Sequence, residues 1–202
     1  EDGFDASGSY DGRFTQFYKA IKAKYPQLQI ISTVGGRDPL GRRFKVTGSR
    51  PELFDEHYYR SAWEMEADAA HYDDYDRKGP KIFAGEYAAQ SVQTVSPDNK
   101  NNWKCALSEA AFMTGLERNA DVVNMASYAP LFAHVDGWQW TPNLIWFDNL
   151  NSYGTPDYYV QKLYSNNKGT SLISIVQNGE AIAGQDSIYA SAVIDKSSND
   201  II

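Results

Sequence analysis

Glu86 stands at the end of a short apolar run, Lys81–Ala88 (KIFAGEYA), preceded by Gly79-Pro80. Such a run is too short for a helix, and its flanking Gly and Pro suit a buried strand. A carboxylate at the C-terminal end of a buried strand lies where α/β proteins hold substrates, and Gly85 lets a ligand approach the backbone. His57 and Tyr59 fall at the end of an earlier run, and their i, i+2 spacing puts both side chains on one strand face. Glu1 opens the chain before a loop and helix, where a preceding strand would have ended. Two carboxylates with a Tyr and a His to orient them are the equipment of glycoside hydrolysis. One acid protonates the leaving oxygen while the other attacks the anomeric carbon or activates water. The plainer readings remain: Glu86 as a loop cap or an Arg partner, His57 and Tyr59 as satisfied core residues.

The elements that must position these groups alternate along the chain. The spacing of Phe14, Phe17, Tyr18, Ile21 and Tyr25 predicts an amphipathic helix from Asp11, stopped by Pro26. Leu28–Thr33 reads as a continuous apolar strand, and 34–51, rich in Gly, Pro and Arg, as a long loop. Leu53–Tyr59 is the second strand. A helix capped by Ser61 is expected to run to about Asp76, with Trp63, Ala67 and Ala70 inward. After the strand over 81–87, Asn101 or Asn102 caps a helix over 103–118. Its stripe is Trp103, Ala106, Leu107, Ala110, Met113 and Leu116. A fourth strand covers Asp121–Ala129; Leu144–Phe147, a turn at Tyr153-Gly154 and a helix near Pro156–Tyr164 follow. Beyond Gly169 the pattern turns to strands alone, Ser171–Val176 and Ser187–Ile194. Repeated strand-to-helix crossover points to an α/β fold with a parallel sheet. No Gly-rich phosphate loop follows any strand, so half of a β/α barrel is preferred to a nucleotide-binding sheet. Residues 1–168 form the barrel part and 169–202 the start of an all-β domain.

Composition narrows the partners. The chain has 202 residues, a net charge of −7, and 14 Tyr with 5 Trp. That balance argues against nucleic acid, whose phosphates need a basic surface, and the aromatic surplus suits sugars. Trp138 and Trp140, one residue apart in a polar loop, are candidates to stack on a sugar, whereas Trp63 and Trp103 read as packing residues. The single cysteine, Cys105, reads as an inert buried thiol. His134 has no companion ligand, so neither a metal nor another cofactor is expected. No run approaches the ~18 apolar residues of a membrane span. The chain starts without Met, as though cut from a longer sequence, and secretion or the periplasm is preferred to the cytoplasm.

Five stretches resemble one family. EDGFDASGSYDGRFTQFYKAIKAKYPQLQIIS, DEHYYRS, KIFAGEYA, ALSEAAFMTGLERNADVVNMASYAPLF and WTPNLIWFDNLNSYGTPDYYVQKLYSNNKG are similar to family 51 α-L-arabinofuranosidases, retaining β/α-barrel glycosidases. The resemblance implies that Glu86 is the nucleophile at the end of barrel strand seven and that His57 and Tyr59 are the His-x-Tyr of strand six. It also implies that Glu1 is the general acid/base of an Asn-Glu motif on strand four. The chain would then be the C-terminal half of a TIM (β/α)8 barrel, strands five to eight, followed by the start of a C-terminal β-sandwich. The expected partner is an arabinose-containing oligo- or polysaccharide, with no cofactor, and a homo-oligomer stays open. A retaining barrel glycosidase for another plant polysaccharide and a non-catalytic carbohydrate-binding module are the alternatives.

Overall fold

In the computed structural model, residue 5 and residues 7–36, 46–94 and 96–202 are described. The chain divides into two compact units, one comprising 1–58, 75–86 and 121–127, the other 59–74, 87–120 and 128–202.

The first unit begins with α1 (Tyr10–Lys24). Strands β1 (Ile31–Gly36), β2 (Leu53–Ser61), β3 (Lys81–Gln90) and β4 (Val123–Tyr128) form a sheet in that order, so each strand lies beside its sequence neighbour. β1 and β2 pair in parallel, Ile31 opposite Leu53. Leu53, Ile82, Ala84 and Val122 are buried there. α1 buries none of its residues and is held by polar contacts instead. Lys22 pairs with Glu52 at 2.5 Å and donates to the Leu28 carbonyl at 2.6 Å. Asp11 accepts from the Thr47 hydroxyl and from the backbone N–H groups of Thr47 and Gly48, which together lower its pKa to about 2.

The expected first strand is displaced by three residues, 31–36 rather than 28–33. Leu28 and Ile31 are exposed, and the Ile30 N–H donates to the Glu52 carboxylate at 2.9 Å instead of joining a ladder. The apolar run was therefore a poor guide to where pairing starts. Of the loop expected over 34–51, residues 37–45 lie outside the described residues, and Val34–Gly36 complete β1.

In the second unit α2 covers only Ala62–Ala67, and a 3-10 turn, Asp68–Ala70, ends it well short of the expected Asp76. Ser61 stands at its start as expected, with Glu64 reaching back to accept from the Ser61 N–H at 2.9 Å. The buried side is Ala62, Met65, Asp68 and Ala69; Trp63, Ala67 and Ala70, expected inward, are exposed. α3 (Trp103–Arg118) has the expected bounds, and Asn102 caps it by accepting from the Cys105 N–H at 3.0 Å. Its buried side is shifted from the expected stripe: Trp103 and Leu107 are exposed while Glu109 is wholly buried. Close contact sets this phase, because a Cβ at Gly115 would stand 2.1 Å from the Ala69 carbonyl oxygen. Arg118 fixes the same seam with hydrogen bonds to both Asp73 carboxylate oxygens at 3.0 Å. Cys105 is buried, as expected, and burial pushes its thiol pKa up to about 11.

A small sheet follows, β5 (Phe132–His134), β6 (Ile145–Phe147) and β7 (Ser152–Gly154), parallel between the first two and antiparallel between the last. The expected turn at Tyr153-Gly154 is thus a strand. α4 (Pro156–Asn166) is capped by Thr155 and starts on Pro156, whose missing N–H costs nothing at that position. The tail beyond Gly169 is all β, in shorter strands than expected: β8 (Ser171–Ile173), β9 (Val176–Gln177), β10 (Glu180–Ala181), β11 (Ala192–Asp195) and β12 (Asp200–Ile201). Asn178 and Gly179, with φ of 54° and 88°, make the two-residue turn between β9 and β10.

Candidate active site

β2 presents alternating side chains. Asp55 and His57 share one face, and Glu56 and Tyr58 the other. Glu56 is buried and accepts from Tyr58 Oη at 2.5 Å and from Tyr75 Oη at 3.1 Å, a structural network on its own face. On the face of Asp55, His57 Nε2 lies 3.0 Å from Asp55 Oδ2, and His57 Nδ1 lies 3.6 Å from Glu86 Oε2. The imidazole is 5% exposed and the Glu86 carboxylate 33%, so the ring is enclosed while the carboxylate reaches solvent. Gly85 makes the arrangement fit: a Cβ there would stand 1.9 Å from Asp55 Oδ1. The Gly85 carbonyl in turn accepts from Ser127 Oγ at 2.5 Å, which ties β3 to β4 one residue before Glu86. The structure therefore brings together the predicted His57 and Glu86. It adds Asp55, which was not singled out although it precedes His57 by two residues and so had to share its face.

The remaining predicted groups are placed as follows. In the second unit, Tyr59 meets Trp140 edge to face at 5.3 Å, and Trp140 is half-buried. Trp138 is exposed and meets Trp146 edge to face at 6.1 Å. Trp138, Trp140, His134 and Asn143 line a cavity of about 420 Å³. Trp63 and Trp103, expected to pack, are about two-thirds exposed. Glu1 lies outside the described residues. Among the described residues no group of three or more His, Cys, Asp or Glu side chains is placed to hold a metal ion.

A second carboxyl cluster escaped the sequence reading. Glu109 on α3 and Asp157 on α4 are both wholly buried. Glu109 accepts from the Ala89 N–H at 2.8 Å, and Asp157 accepts from Asn101 Nδ2 at 2.8 Å. Glu109 Oε2 and Asp157 Oδ1 are buried without a hydrogen-bond partner. Burial raises the pKa of both, and the charge of Asp157 raises that of Glu109 further. Asn101 also bonds Tyr128 Oη at 3.0 Å, so the cluster joins α3, α4 and the loop before α3 as a structural tie.

β3 runs on to Gln90, so Glu86 lies within the strand rather than at its end as expected over 81–87. A mixed α/β chain with a half-open Glu, a His–Asp pair facing it and, in the second unit, a Trp-rich loop has the features of a carbohydrate-active protein. Comparison with known proteins narrows the class. Residues 85–195 match the profile of the α-L-arabinofuranosidase C-terminal domain, and residues 1–77 that of the α-L-arabinofuranosidase 1 domain. The chain belongs to the GH51 α-L-arabinofuranosidase family. An extracellular exo-α-L-arabinofuranosidase of Streptomyces chartreusis is 48% identical over 166 residues, 80% of this chain and 19% of that protein. α-L-Arabinofuranosidase 2 of Arabidopsis thaliana is 37% identical over 91% of this chain and 25% of that protein. An arabinose-bound GH51 α-L-arabinofuranosidase structure superposes with a TM-score of 0.80 at 33% identity, covering 98% of this chain and 31% of that one. The chain thus spans a fifth to a quarter of the length of these curated relatives.

Proposed function

We propose that the protein is an exo-acting retaining glycoside hydrolase that releases terminal α-L-arabinofuranosyl residues from arabinan- or arabinoxylan-type glycans. The observation that carries this reading is the half-open Glu86 carboxylate on β3, with the enclosed His57 ring beside it. A Glu86 oxygen attacks the anomeric carbon while the glycosidic C–O bond breaks and Glu1 gives its proton to the leaving oxygen. Water then attacks the same carbon, Glu1 takes its proton, and Glu86 leaves as carboxylate. In the second unit, Tyr59 is assigned an orienting role and Trp138 and Trp140 contact with sugar. The names of the relatives, and the arabinose bound in the structural neighbour, support the substrate class. No cofactor enters this chemistry.

The same reading places the sheet as strands five to eight of a (β/α)8 barrel. On it, 1–168 is the barrel part and 169–202 the beginning of a β-sandwich. The sheet order, with α2 and α3 inserted between successive strands, supports this. In full-length protein, Glu86→Gln should fold normally and lose turnover by several orders of magnitude on an aryl arabinofuranoside, since an amide cannot form the glycosyl ester. Near-parental rates would overturn the assignment. Sugar binding retained by a parent that never turns over would favour a binding module, for which the exposed Trp138 is the supporting observation.

A further inference from the structure

We propose that Asp55 is a positioning residue: it holds the His57 ring by its Nε2–H and so aims Nδ1 at the Glu86 carboxylate. This rests on the reading of Glu86 as nucleophile. His57 stands between two carboxylates, with Nε2 at 3.0 Å from Asp55 and Nδ1 at 3.6 Å from Glu86. A ring with one proton can donate to only one of them, and its bare nitrogen would face an anion. A ring protonated at both nitrogens donates to Asp55 and presents its second N–H toward Glu86. Asp55 therefore fixes the ring's orientation and which of its edges faces the attacking oxygen of Glu86.

Two features separate this arrangement from ordinary core packing. Asp55 Oδ1 is buried and has no hydrogen-bond partner, an expense that a purely structural carboxylate avoids. It occupies the space over Gly85 that any side chain there would fill. The residue before the nucleophile is thus shaped around Asp55.

The test uses full-length protein and an aryl arabinofuranoside. Asp55→Asn keeps the shape and removes the charge; kcat should fall about 10- to 100-fold with KM changed less than about twofold, as outer partners of working histidines do. Gly85→Ala approaches the same contact from the other side, because its methyl displaces the carboxylate, and should lose a similar factor. Since Asp55→Ala and Gly85→Ala break one contact, the double variant should be no slower than the slower single. Multiplying losses would overturn the proposal. Nitrogen-15 spectra of labelled histidine in the parent protein read the ring directly, whether or not a variant folds. His57 should carry a proton on Nε2, and an unprotonated Nε2 would overturn the proposal. Glu86→Gly separates the two ideas. If it loses turnover and azide restores it as an arabinofuranosyl azide, while Asp55→Asn keeps parental kcat, the role of Asp55 alone fails. If Glu86→Gly retains turnover, the nucleophile reading fails, and the positioning role with it.

Discussion

Trp138 and Trp140 are one residue apart and differ in what holds them. Trp140 is half-buried against the edge of Tyr59, so its loss would also release a residue of the proposed site. Trp138 is 40% exposed and forms part of the wall of two cavities, of about 420 and 450 Å³. Its ring face is therefore available to a sugar at little cost to packing. Trp138→Ala should raise KM several-fold on a branched polysaccharide, the worth of about 0.5–1.5 kcal/mol of ring contact, with kcat and melting temperature nearly unchanged. Trp140→Ala should lower kcat as well. Equal effects of the two variants on kcat would refute this division, and steady-state kinetics on one polymer settles it. In the sequence the pair stands out because aromatics in a polar loop have few structural uses. Asp55 was legible only in retrospect: its contact depends on the space left by Gly85, which lies 30 residues away along the chain and beside it in the sheet.

At the scale of elements, periodicity located α3 to the residue and misjudged its buried side. An apolar stripe through Trp103 and Leu107 competes with a seam through Glu109 and Gly115, and the seam prevails. Gly115 allows the Ala69 carbonyl to approach, and burial, with the Asp157 charge beside it, raises the Glu109 pKa and so favours its neutral form. A carboxyl counted as polar in a sequence window can be neutral in the fold, and that is why the pattern misled. The same pair gives a pH dependence whose sign is fixed. Both folded pKa values lie above the ordinary ones, 4.5 for Glu109 and 3.8 for Asp157. Above that range the folded protein holds a proton that the unfolded chain has lost, so the pair's contribution is full at acid pH and declines as pH rises toward the folded values. Glu109→Gln keeps an acceptor for the Ala89 N–H and removes one of the two buried titrating groups. Its melting temperature should equal or exceed the parent's at pH 7–8, with the difference shrinking toward pH 4. Each kcal/mol relieved reads as about 2–4 °C in a chain of this size. A variant less stable than the parent throughout that range would show that holding a buried carboxyl neutral is not what the pair costs.

For the whole molecule, charge and exposed apolar surface act against each other. The net charge is −7 at pH 7, and the sequence pI is near 4.9. Phe17, Trp63, Trp103, Leu107, Leu150 and Leu163 are all more than half exposed, a large apolar display for a chain of this length. The order of the four-stranded sheet could be read from the alternation of strands and helices. These exposures could not, since all but Leu150 sit in helices whose composition suggests burial. At pH 7 mutual repulsion keeps such surfaces apart, and near pH 5 it vanishes. Light scattering from the 202-residue chain should rise steeply between pH 6 and its pI, and at pH 7 it should rise with added salt as the Debye length falls below about 8 Å. Over the same interval the Glu109–Asp157 pair gains stability, so melting temperature and scattering should climb together as pH falls. Aggregation driven by unfolding predicts the opposite pairing, scattering that rises only where the melting temperature drops. A chain that stays monodisperse at its pI in high salt would show that the exposed side chains do not meet.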